Sequence, residues 1–194
     1  MLFRSGGTKC LGVVLDASGE TVGEWRRPTP QHPDALVDTL VEMVRDMAPS
    51  DAIGVGVPGL VTRTGTLRAA PHLPDVGDLE LGPLLSARLG TDVYVDNDAT
   101  CAAAAEWRLG AGVGSNDLIM VTLGTGIGGG VVAGGHLVRG AHGFTGEMGH
   151  MVVDPAGPPC PCGRRGCESR GTSETQQVWR SRQRWTPGRA RRST

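Results

Sequence analysis

Val93-Tyr-Val-Asp-Asn-Asp-Ala-Thr-Cys-Ala-Ala-Ala-Ala-Glu-Trp107 decides the fold class, because a short strand pattern passes directly into a helix pattern. The segment 93–95 is apolar and rich in β-branched residues, whereas strong helix formers follow from Asp98 onward. Asn and Asp are preferred helix N-caps, so one residue of Asp96-Asn97-Asp98 is expected to cap this helix. A carboxylate that is not needed for capping would lie at the carboxyl end of the strand, where α/β sheets bind ligands. It can accept a proton from a substrate hydroxyl.

Strand and helix patterns alternate on both sides of this stretch. Apolar strand patterns occupy residues 11–15, 21–25, 52–57, 118–123, 131–133 and 137–138. An amphipathic helix is indicated after Asp34 by apolar residues at three- and four-residue spacing, namely Leu36, Val37, Leu40, Val41, Val44 and Met47. Because turn sequences join several neighbouring strands as hairpins, the sequence predicts an α/β fold whose sheet mixes parallel and antiparallel pairs.

The composition restricts the class of protein. The chain has 194 residues, 39% of them hydrophobic, and a formal net charge of −1, which gives no reason to expect a nucleic-acid partner. No apolar run approaches the roughly 18 residues of a membrane-spanning helix, and the N-terminus lacks the apolar region of a signal peptide. Five cysteines, three of them in one cluster, suit a reducing compartment better than a disulfide scaffold. We expect a cytoplasmic protein with no membrane or nucleic-acid partner.

The character of the sequence changes after Cys167. Residues 168–194 are rich in arginine, contain few aliphatic residues and have no usable periodicity. A segment of this composition buries too little apolar surface to fold, so we expect an aberrant, disordered basic tail. A nucleic-acid-binding arm is the alternative, although the rest of the chain offers no binding platform. A change of reading frame near Cys167 would explain the shift in composition.

A cluster of His150, Cys160, Cys162 and Cys167 is typical of a zinc site. Three thiolates and one imidazole complete a tetrahedral set, and a closed set of this kind shapes the protein and does not activate water. Prolines and glycines between the ligands disfavour helix and strand and let the backbone fold around one ion. The alternative is three unrelated thiols, or a disulfide with a spare thiol. Cys160 and Cys162 are one residue apart, which is poor geometry for a disulfide between them.

Two glycine-rich segments could bring backbone amides close to phosphate oxygens. Ser5-Gly-Gly-Thr-Lys9 precedes the first clear strand, and Gly124–Gly130 follows a later one. Neither matches a Walker loop or a dinucleotide-binding fingerprint, and glycine runs also serve as plain hairpin turns. Two such segments with hydroxyls beside them nevertheless favour phosphate binding. Glu147 and His150, three residues apart, could offer an acceptor and a ring nitrogen to a polyol.

Seven motifs occur in the order typical of the ROK family of bacterial sugar kinases, and the chain resembles its zinc-containing glucokinases. The motifs are Gly6-Gly-Thr-Lys9, Gly54-Val-Gly-Val-Pro-Gly59, Asp96-Asn-Asp-Ala99, Gly124-Thr-Gly-Ile-Gly-Gly-Gly130, Gly140-Ala-His-Gly143, Gly146-Glu-Met-Gly-His150 and Cys160-Pro-Cys-Gly-Arg-Arg-Gly-Cys167. The resemblance implies the ribonuclease-H-like, actin-like sugar-kinase fold. It predicts an N-terminal lobe at residues 1–110, an incomplete C-terminal lobe with the zinc loop at 111–167, and the aberrant tail at 168–194.

The resemblance also implies an activity: ATP-dependent phosphorylation of a hexose, with glucose 6-phosphate as the expected product. Asp98 would be the catalytic base. The sugar would be bound by Gly59, Asn97, Asp98, Glu147 and His150, with Glu168 as a further candidate. ATP with Mg²⁺ would be bound by Gly7, Thr8, Lys9, Gly124, Thr125, Gly126 and Gly128. Structural zinc would be held by His150, Cys160, Cys162 and Cys167, and an intact member of the family would be a homo-oligomer.

Three departures from the family pattern lead to further expectations. Arg4 stands where the family has an acidic residue near the metal–phosphate site, and only residues 1–3 remain for the first strand. Glu168 follows Cys167 directly, one position earlier than the family's sugar-binding glutamate. Family members continue for roughly a hundred residues more, about the size of a small domain. We therefore expect an incomplete chain of low activity, without the first strand and the adenine-binding end.

Three alternative functions remain open. The first is a ROK-type sugar-responsive transcriptional regulator that lacks its DNA-binding domain. The second is a kinase of N-acylated hexosamines, because the motifs do not fix the hexose. The third is a non-catalytic remnant of a sugar kinase.

Overall fold

The computed structural model describes residues 1–5, 8–47, 50–70, 73, 76–123 and 126–168. Contacts divide the chain into two compact units, Met1–Leu123 with Gly128–Gly146 and Gly124–Ile127 with Glu147–Thr194. The lobe boundary predicted at residue 110 stays a prediction. The predicted disordered tail falls almost wholly on residues 169–194, which lie outside the described residues.

The helices and strands follow in chain order. The strands are β1 (Leu2–Ser5), β2 (Lys9–Leu15), β3 (Thr21–Pro28), β4 (Ile53–Val57), β5 (Leu60–Val61), β6 (Leu67–Ala69), β7 (Val93–Asn97), β8 (Leu118–Leu123), β9 (Ile127–Ala133) and β10 (His136–Val138). The α-helices are α1 (Pro33–Asp46), α2 (Leu81–Leu89) and α3 (Asp98–Leu109).

The main sheet has the strand order β3-β2-β1-β4-β7. β1 pairs with β2 in antiparallel and with β4 in parallel orientation, and β4 pairs in parallel with β7. The predicted mixed α/β sheet is therefore confirmed. The parallel strands β1, β4 and β7 place their carboxyl ends at one edge, where a ligand site is expected.

The expectation that the first strand is missing was wrong. β1 spans Leu2–Ser5 and lies in the middle of the sheet. Phe3 and Ser5 are buried, whereas Leu2 and Arg4 lie on the opposite, exposed face. Four residues suffice because both neighbouring strands supply hydrogen bonds to β1, so its short length leaves few backbone groups unpaired.

The core lies between the main sheet and helices α1 and α2. The predicted helix α1 begins with Pro33, which is compatible with the first turn, and buries Leu36, Val37, Leu40, Val41 and Met43. α2 was not predicted, because Gly82 and Pro83 weaken its helix pattern. Proline is tolerated in the first turn of a helix. A Cβ at Gly82 would lie 3.5 Å from the Cα of Gly65, an ordinary contact distance, so the packing of α2 does not require glycine there.

Strands β10, β9 and β8 form a three-stranded sheet in that order. Gly128, a predicted phosphate-binding residue, and Gly130 both belong to β9. A Cβ at Gly130 would lie 2.3 Å from the Cβ of Ala103, and one at Gly128 would lie 3.0 Å from that of Ala99. These glycines therefore let α3 pack closely against β9.

The second unit contains a 3₁₀ turn at Met148–His150 and little other regular structure in its described part. Isolated bridges join Val152 to Cys167 and Pro159 to Arg165, which closes residues 152–167 into a compact loop. The proline- and glycine-rich sequence predicted such a loop. Among the described residues, no helix is long and apolar enough to cross a membrane.

Candidate active site and zinc centre

Asn97 caps helix α3 and connects it to a neighbouring loop. Its Oδ1 accepts hydrogen bonds from the N–H groups of Ala99 at 2.9 Å and Thr100 at 3.0 Å. Its Nδ2 donates to the carbonyl oxygen of Gly59 at 3.0 Å. The predicted capping role is confirmed. Because both lone pairs of Oδ1 and one N–H are engaged, Asn97 can offer a ligand only the remaining N–H donor.

The Asp98 carboxylate is not used for capping. Asp98 is the first residue of α3, where a carboxylate interacts favourably with the positive end of the helix dipole. Its side chain is 21% exposed, and its Oδ2 lies 3.6 Å from Nη2 of Arg4. Both residues line a cavity of about 900 Å³ in the first unit. The carboxylate is thus accessible from a cavity large enough for small-molecule substrates.

Arg139 forms an ion pair with Asp96, the residue that precedes Asn97 and Asp98. Its Nε donates to Oδ2 of Asp96 at 2.8 Å, and the N–H of Asn97 donates to the other carboxylate oxygen, Oδ1, at 2.8 Å. The Asp96 side chain is 18% exposed and that of Arg139 is 40% exposed, so this ion pair is partly open to solvent. Asp96 therefore fixes the backbone from which Asn97 and Asp98 project.

Cys101 lies one turn after Asp98. Burial raises the pKa of its thiol to about 11, and the carboxylates of Asp96 and Asp98 contribute in the same direction. The thiol is therefore protonated near neutral pH and is not a nucleophile. Cys101 is therefore a half-buried, unreactive thiol beside the site.

We expect Asn97→Ala to lower the free energy of unfolding by about 1 kcal/mol through loss of the helix cap. Asn97→Ser should retain most of this stability, because a serine hydroxyl also accepts from the first-turn N–H groups. Chemical denaturation of the two variants measures the difference. Equal destabilisation by both substitutions would show that the bond to Gly59, which serine is too short to replace, outweighs the cap.

In the second unit, Glu147 and His150 lie on one side of the 3₁₀ turn. Oε2 of Glu147 is 3.8 Å from Nε2 of His150, and the two side chains are 36% and 39% exposed. Their predicted proximity is confirmed, and both remain predicted sugar ligands. The third predicted ligand in this unit, Glu168, donates its backbone N–H to the carbonyl oxygen of Met151 at 2.9 Å.

The four predicted zinc ligands converge. The ligand atoms of His150, Cys160, Cys162 and Cys167 all lie within 4.8 Å of one another. Sγ of Cys160 is 3.5 Å from Nδ1 of His150, and Sγ of Cys162 is 3.6 Å from Sγ of Cys167. A tetrahedral zinc site with bonds of about 2.3 Å places its ligand atoms about 3.7 Å apart. The donor set and spacing therefore fit one zinc ion, and Nδ1 is the histidine nitrogen that faces it.

Two thiols of this cluster have displaced pKa values. A hydrogen bond from the backbone of Arg164, together with contacts to Cys160, Cys167 and His150, lowers the pKa of Cys162 to about 7. Burial, with the neighbouring thiols adding to it, raises the pKa of Cys167 to about 11. Near neutral pH, Cys162 is therefore partly ionised before metal binds, whereas Cys167 must lose its proton on binding.

We expect zinc binding to release protons and to weaken as the pH falls from about 8 to about 6, because only thiolates coordinate the ion. Isothermal titration in two buffers of different ionisation enthalpy counts the protons released. At a pH of about 7, Cys167 should contribute close to one proton and Cys162 about half of one. Binding without proton release would contradict coordination by these thiols.

The predicted phosphate-binding residues are only partly described. Lys9 is the first residue of β2 and Thr8 precedes it; both lie in the first unit and are exposed. Gly126 belongs to the second unit, and Gly128 lies in β9. Gly7, Gly124 and Thr125 lie outside the described residues. The phosphate-binding role of these seven positions stays a prediction.

The sequence alone does not reveal two charged residues at the site. It marks Arg4 only as a departure from a family pattern and gives no sign of a role for Arg139. Their partners, Asp98 and Asp96, are 94 and 43 residues away along the chain. The sequence carried no local signal for such pairs.

Comparisons with known proteins agree with the fold and the motifs. A family model described as the ROK family matches residues 3–188. The chain belongs to the ROK family. The match extends past Cys167, where the sequence analysis placed the change of character.

Three similar proteins illustrate the range of the family. The glucokinase of Streptomyces coelicolor is 38% identical over 191 residues, which cover 95% of this chain and 60% of the relative. The xylose repressor of Bacillus subtilis is 34% identical over 165 residues, covering 80% of this chain and 43% of the repressor. A ROK family glucokinase from Streptomyces griseus, solved in complex with glucose and AMPPNP, has a TM-score of 0.79 at 37% identity, covering 86% of this chain and 55% of that structure. The chain spans 60% or less of the length of these proteins.

Proposed function

We propose that the chain is part of an ATP-dependent hexose kinase and that its preferred acceptor is glucose. The observation that carries the proposal is the Asp98 carboxylate, which is accessible from a cavity of about 900 Å³ and is spared from capping by Asn97. The glucokinase of Streptomyces coelicolor and the Streptomyces griseus glucokinase with glucose and AMPPNP support the substrate classes.

Asp98 acts as the general base of the reaction. Its carboxylate accepts the proton of the sugar hydroxyl while that oxygen bonds to the γ-phosphorus of ATP, and the bond from phosphorus to the bridging oxygen of ADP breaks. Mg²⁺ bound with ATP neutralises charge on the phosphate oxygens. The protein contributes position and electrostatics and little covalent chemistry.

The other site residues orient the sugar. Asn97 donates its remaining N–H to a sugar hydroxyl, and its bond to the carbonyl oxygen of Gly59 fixes the amide plane. Glu147 accepts hydrogen bonds from hydroxyls. His150 offers Nε2, because its Nδ1 faces the thiols that hold zinc. The zinc ion has a structural role, since its four ligands leave no open position.

The glycine-rich segments bind the donor in this proposal. Backbone N–H groups at Gly7, Thr8 and Lys9 contact one part of the phosphate chain, and those of residues 124–126 contact another. Lys9 adds a positive charge that is exposed in the first unit. Arg4, whose Nη2 lies 3.6 Å from Oδ2 of Asp98, supplies a further positive charge.

Two other functions are consistent with relatives or motifs. The xylose repressor of Bacillus subtilis makes a sugar-binding regulator the principal alternative. A regulator has to bind sugar but needs no catalytic base, so an assay of phosphoryl transfer distinguishes the two functions. A kinase of N-acylated hexosamines would differ only in its acceptor.

The test uses a chimaera of residues 1–168 followed by the remaining part of the Streptomyces coelicolor glucokinase, because the chain spans 60% of that relative. Labelled phosphate from ATP is offered to glucose, mannose, fructose and N-acetylmannosamine. Transfer to glucose at the highest kcat/KM supports the proposal. Sugar binding without transfer to any hexose would favour the regulator, and preference for the acetylated sugar would favour the second kinase.

A further inference from the structure

A second cavity, of about 510 Å³, lies in the first unit and has no part in the proposed reaction. It is lined by Thr62, Arg63, Thr64, Arg68, Ala141, His142 and Phe144. Two segments far apart in sequence form its lining. The first is the turn before β6 together with β6 itself, and the second is the loop after β10. Thr62, Arg63 and Thr64 line this cavity and also the one that contains Asp98, so the turn forms a wall between them.

The walls of this second cavity are fixed by backbone contacts. Gly143 has a φ of +95°, and a Cβ there would lie 2.5 Å from the carbonyl oxygen of Val61, so the loop lies directly against β5. Within the turn, the N–H of Thr62 donates to the carbonyl oxygen of Thr66 at 2.9 Å. The N–H of Thr66 donates in return to Oγ1 of Thr62 at 3.1 Å. The cavity is therefore largely preformed, which reduces the entropy lost when a ligand binds.

The charge of the lining is positive. Nη1 of Arg68 donates to Oδ2 of Asp78 at 2.6 Å, which orients its guanidinium group. Arg63 is exposed and has no ion-pair partner within the part of the chain that the structure describes. His142 adds an imidazole, and none of the described residues that line the cavity has a carboxylate. The positive charge of Arg63 is thus not compensated by an ion pair, whereas the guanidinium group of Arg68 is oriented by Asp78.

The remaining lining residues can contact an organic ligand. The hydroxyls of Thr62 and Thr64 lie 2.9 Å apart and can bind the hydroxyls of a polyol. The ring of Phe144, with its centroid 6.3 Å from that of His142, gives an apolar wall. Guanidinium groups bind phosphate in a bidentate manner. The volume of the cavity is in the range of small-molecule sites and exceeds what one phosphate ion fills.

We propose that this cavity binds a small phosphorylated metabolite, such as a sugar phosphate. The phosphate contacts Arg63 and Arg68, and the organic part lies against Phe144 and the threonine hydroxyls. The proposal does not depend on the proposed kinase activity, because Arg68, His142 and Phe144 line only this cavity. Arg63 and the two threonines line the cavity of Asp98 as well. The shared wall at Thr62–Thr64 provides a path by which such a ligand would influence the cavity of Asp98.

The test is isothermal titration of the 194-residue protein at low salt with three probes: glucose 6-phosphate, inorganic phosphate and glucose. We expect glucose 6-phosphate to bind more tightly than either of the others, because it alone fills both parts of the cavity. Arg63→Gln should weaken its binding about tenfold or more, the scale of a lost charged hydrogen bond. His142→Gln should weaken it as well.

The matched control is Arg45→Gln, which removes an exposed arginine near the end of α1, and should leave the affinity unchanged. Arg4→Gln distinguishes the two cavities, since Arg4 lines only that of Asp98. Loss of binding in Arg4→Gln, with normal binding in His142→Gln, would overturn the proposal. So would equal affinity for inorganic phosphate and glucose 6-phosphate. Thermal unfolding checks that each variant is folded, and the exposed position of Arg63 makes a loss of fold unexpected.

Discussion

Asp98→Asn in the chimaera lowers kcat for glucose by about two to four orders of magnitude, the usual scale for loss of a general base. The amide occupies the same volume and still offers an oxygen to the sugar hydroxyl, but it cannot accept the proton. KM for glucose should therefore change much less than kcat. Steady-state kinetics with a coupled assay of ADP formation measure both parameters.

The control for this substitution is Asp92→Asn. Asp92 is exposed and precedes the same strand, β7, at its opposite end. Its replacement should leave kcat within the error of the assay. If Asp98→Asn retained near-normal turnover, the carboxylate would serve only the helix dipole and the contact with Arg4. That contact is weak evidence for a structural role, because Arg4 is 70% exposed and exposed ion pairs contribute about 0–1 kcal/mol.

The features that the sequence predicted correctly are those encoded by neighbouring residues. Helix α1 follows from apolar spacing, and the cap at Asn97 follows from the passage of a strand into a helix. The zinc ligands lie within 18 residues, so their convergence requires only one loop. Local patterns of this kind predict structure well, because few alternative conformations of the same segment satisfy them.

The features that the sequence did not reveal depend on contacts between distant segments. The glycines of β9 have a packing role that becomes visible only when α3 lies against the strand. Helix α2 forms despite Gly82 and Pro83, because tertiary packing buries Leu81 and Leu85. The pattern of β1 alone is too short to predict a strand, yet pairing on both sides stabilises it. Arg4 and Arg139 pair with Asp98 and Asp96, which are distant along the chain, so the sequence alone does not reveal them as neighbours of the candidate base.

The zinc centre gives the second prediction with a large effect. We expect the purified, reduced protein to contain about one zinc ion per chain, and Cys162→Ser to lower the zinc affinity by more than about a hundredfold. Loss of a partner in the second coordination shell already costs about 10- to 100-fold, and loss of a direct ligand should cost more. Cys162 is the exposed thiol of the cluster, so the substitution removes a ligand without creating a cavity in the core.

Competition with a chromophoric chelator measures the affinity, and metal analysis measures the stoichiometry. Cys101→Ala is the matched control, because Cys101 is a free thiol of the first unit and lies outside the ligand cluster. It should retain the full zinc content. Zinc should also raise the thermal stability of the native protein by mass action, and Cys162→Ser should lose this dependence on added metal. A reduced protein without zinc, or a Cys162→Ser variant with unchanged affinity, would contradict a four-ligand site. Because Nδ1 of His150 faces the cluster, loss of the ion should also release the imidazole that we propose as a sugar ligand.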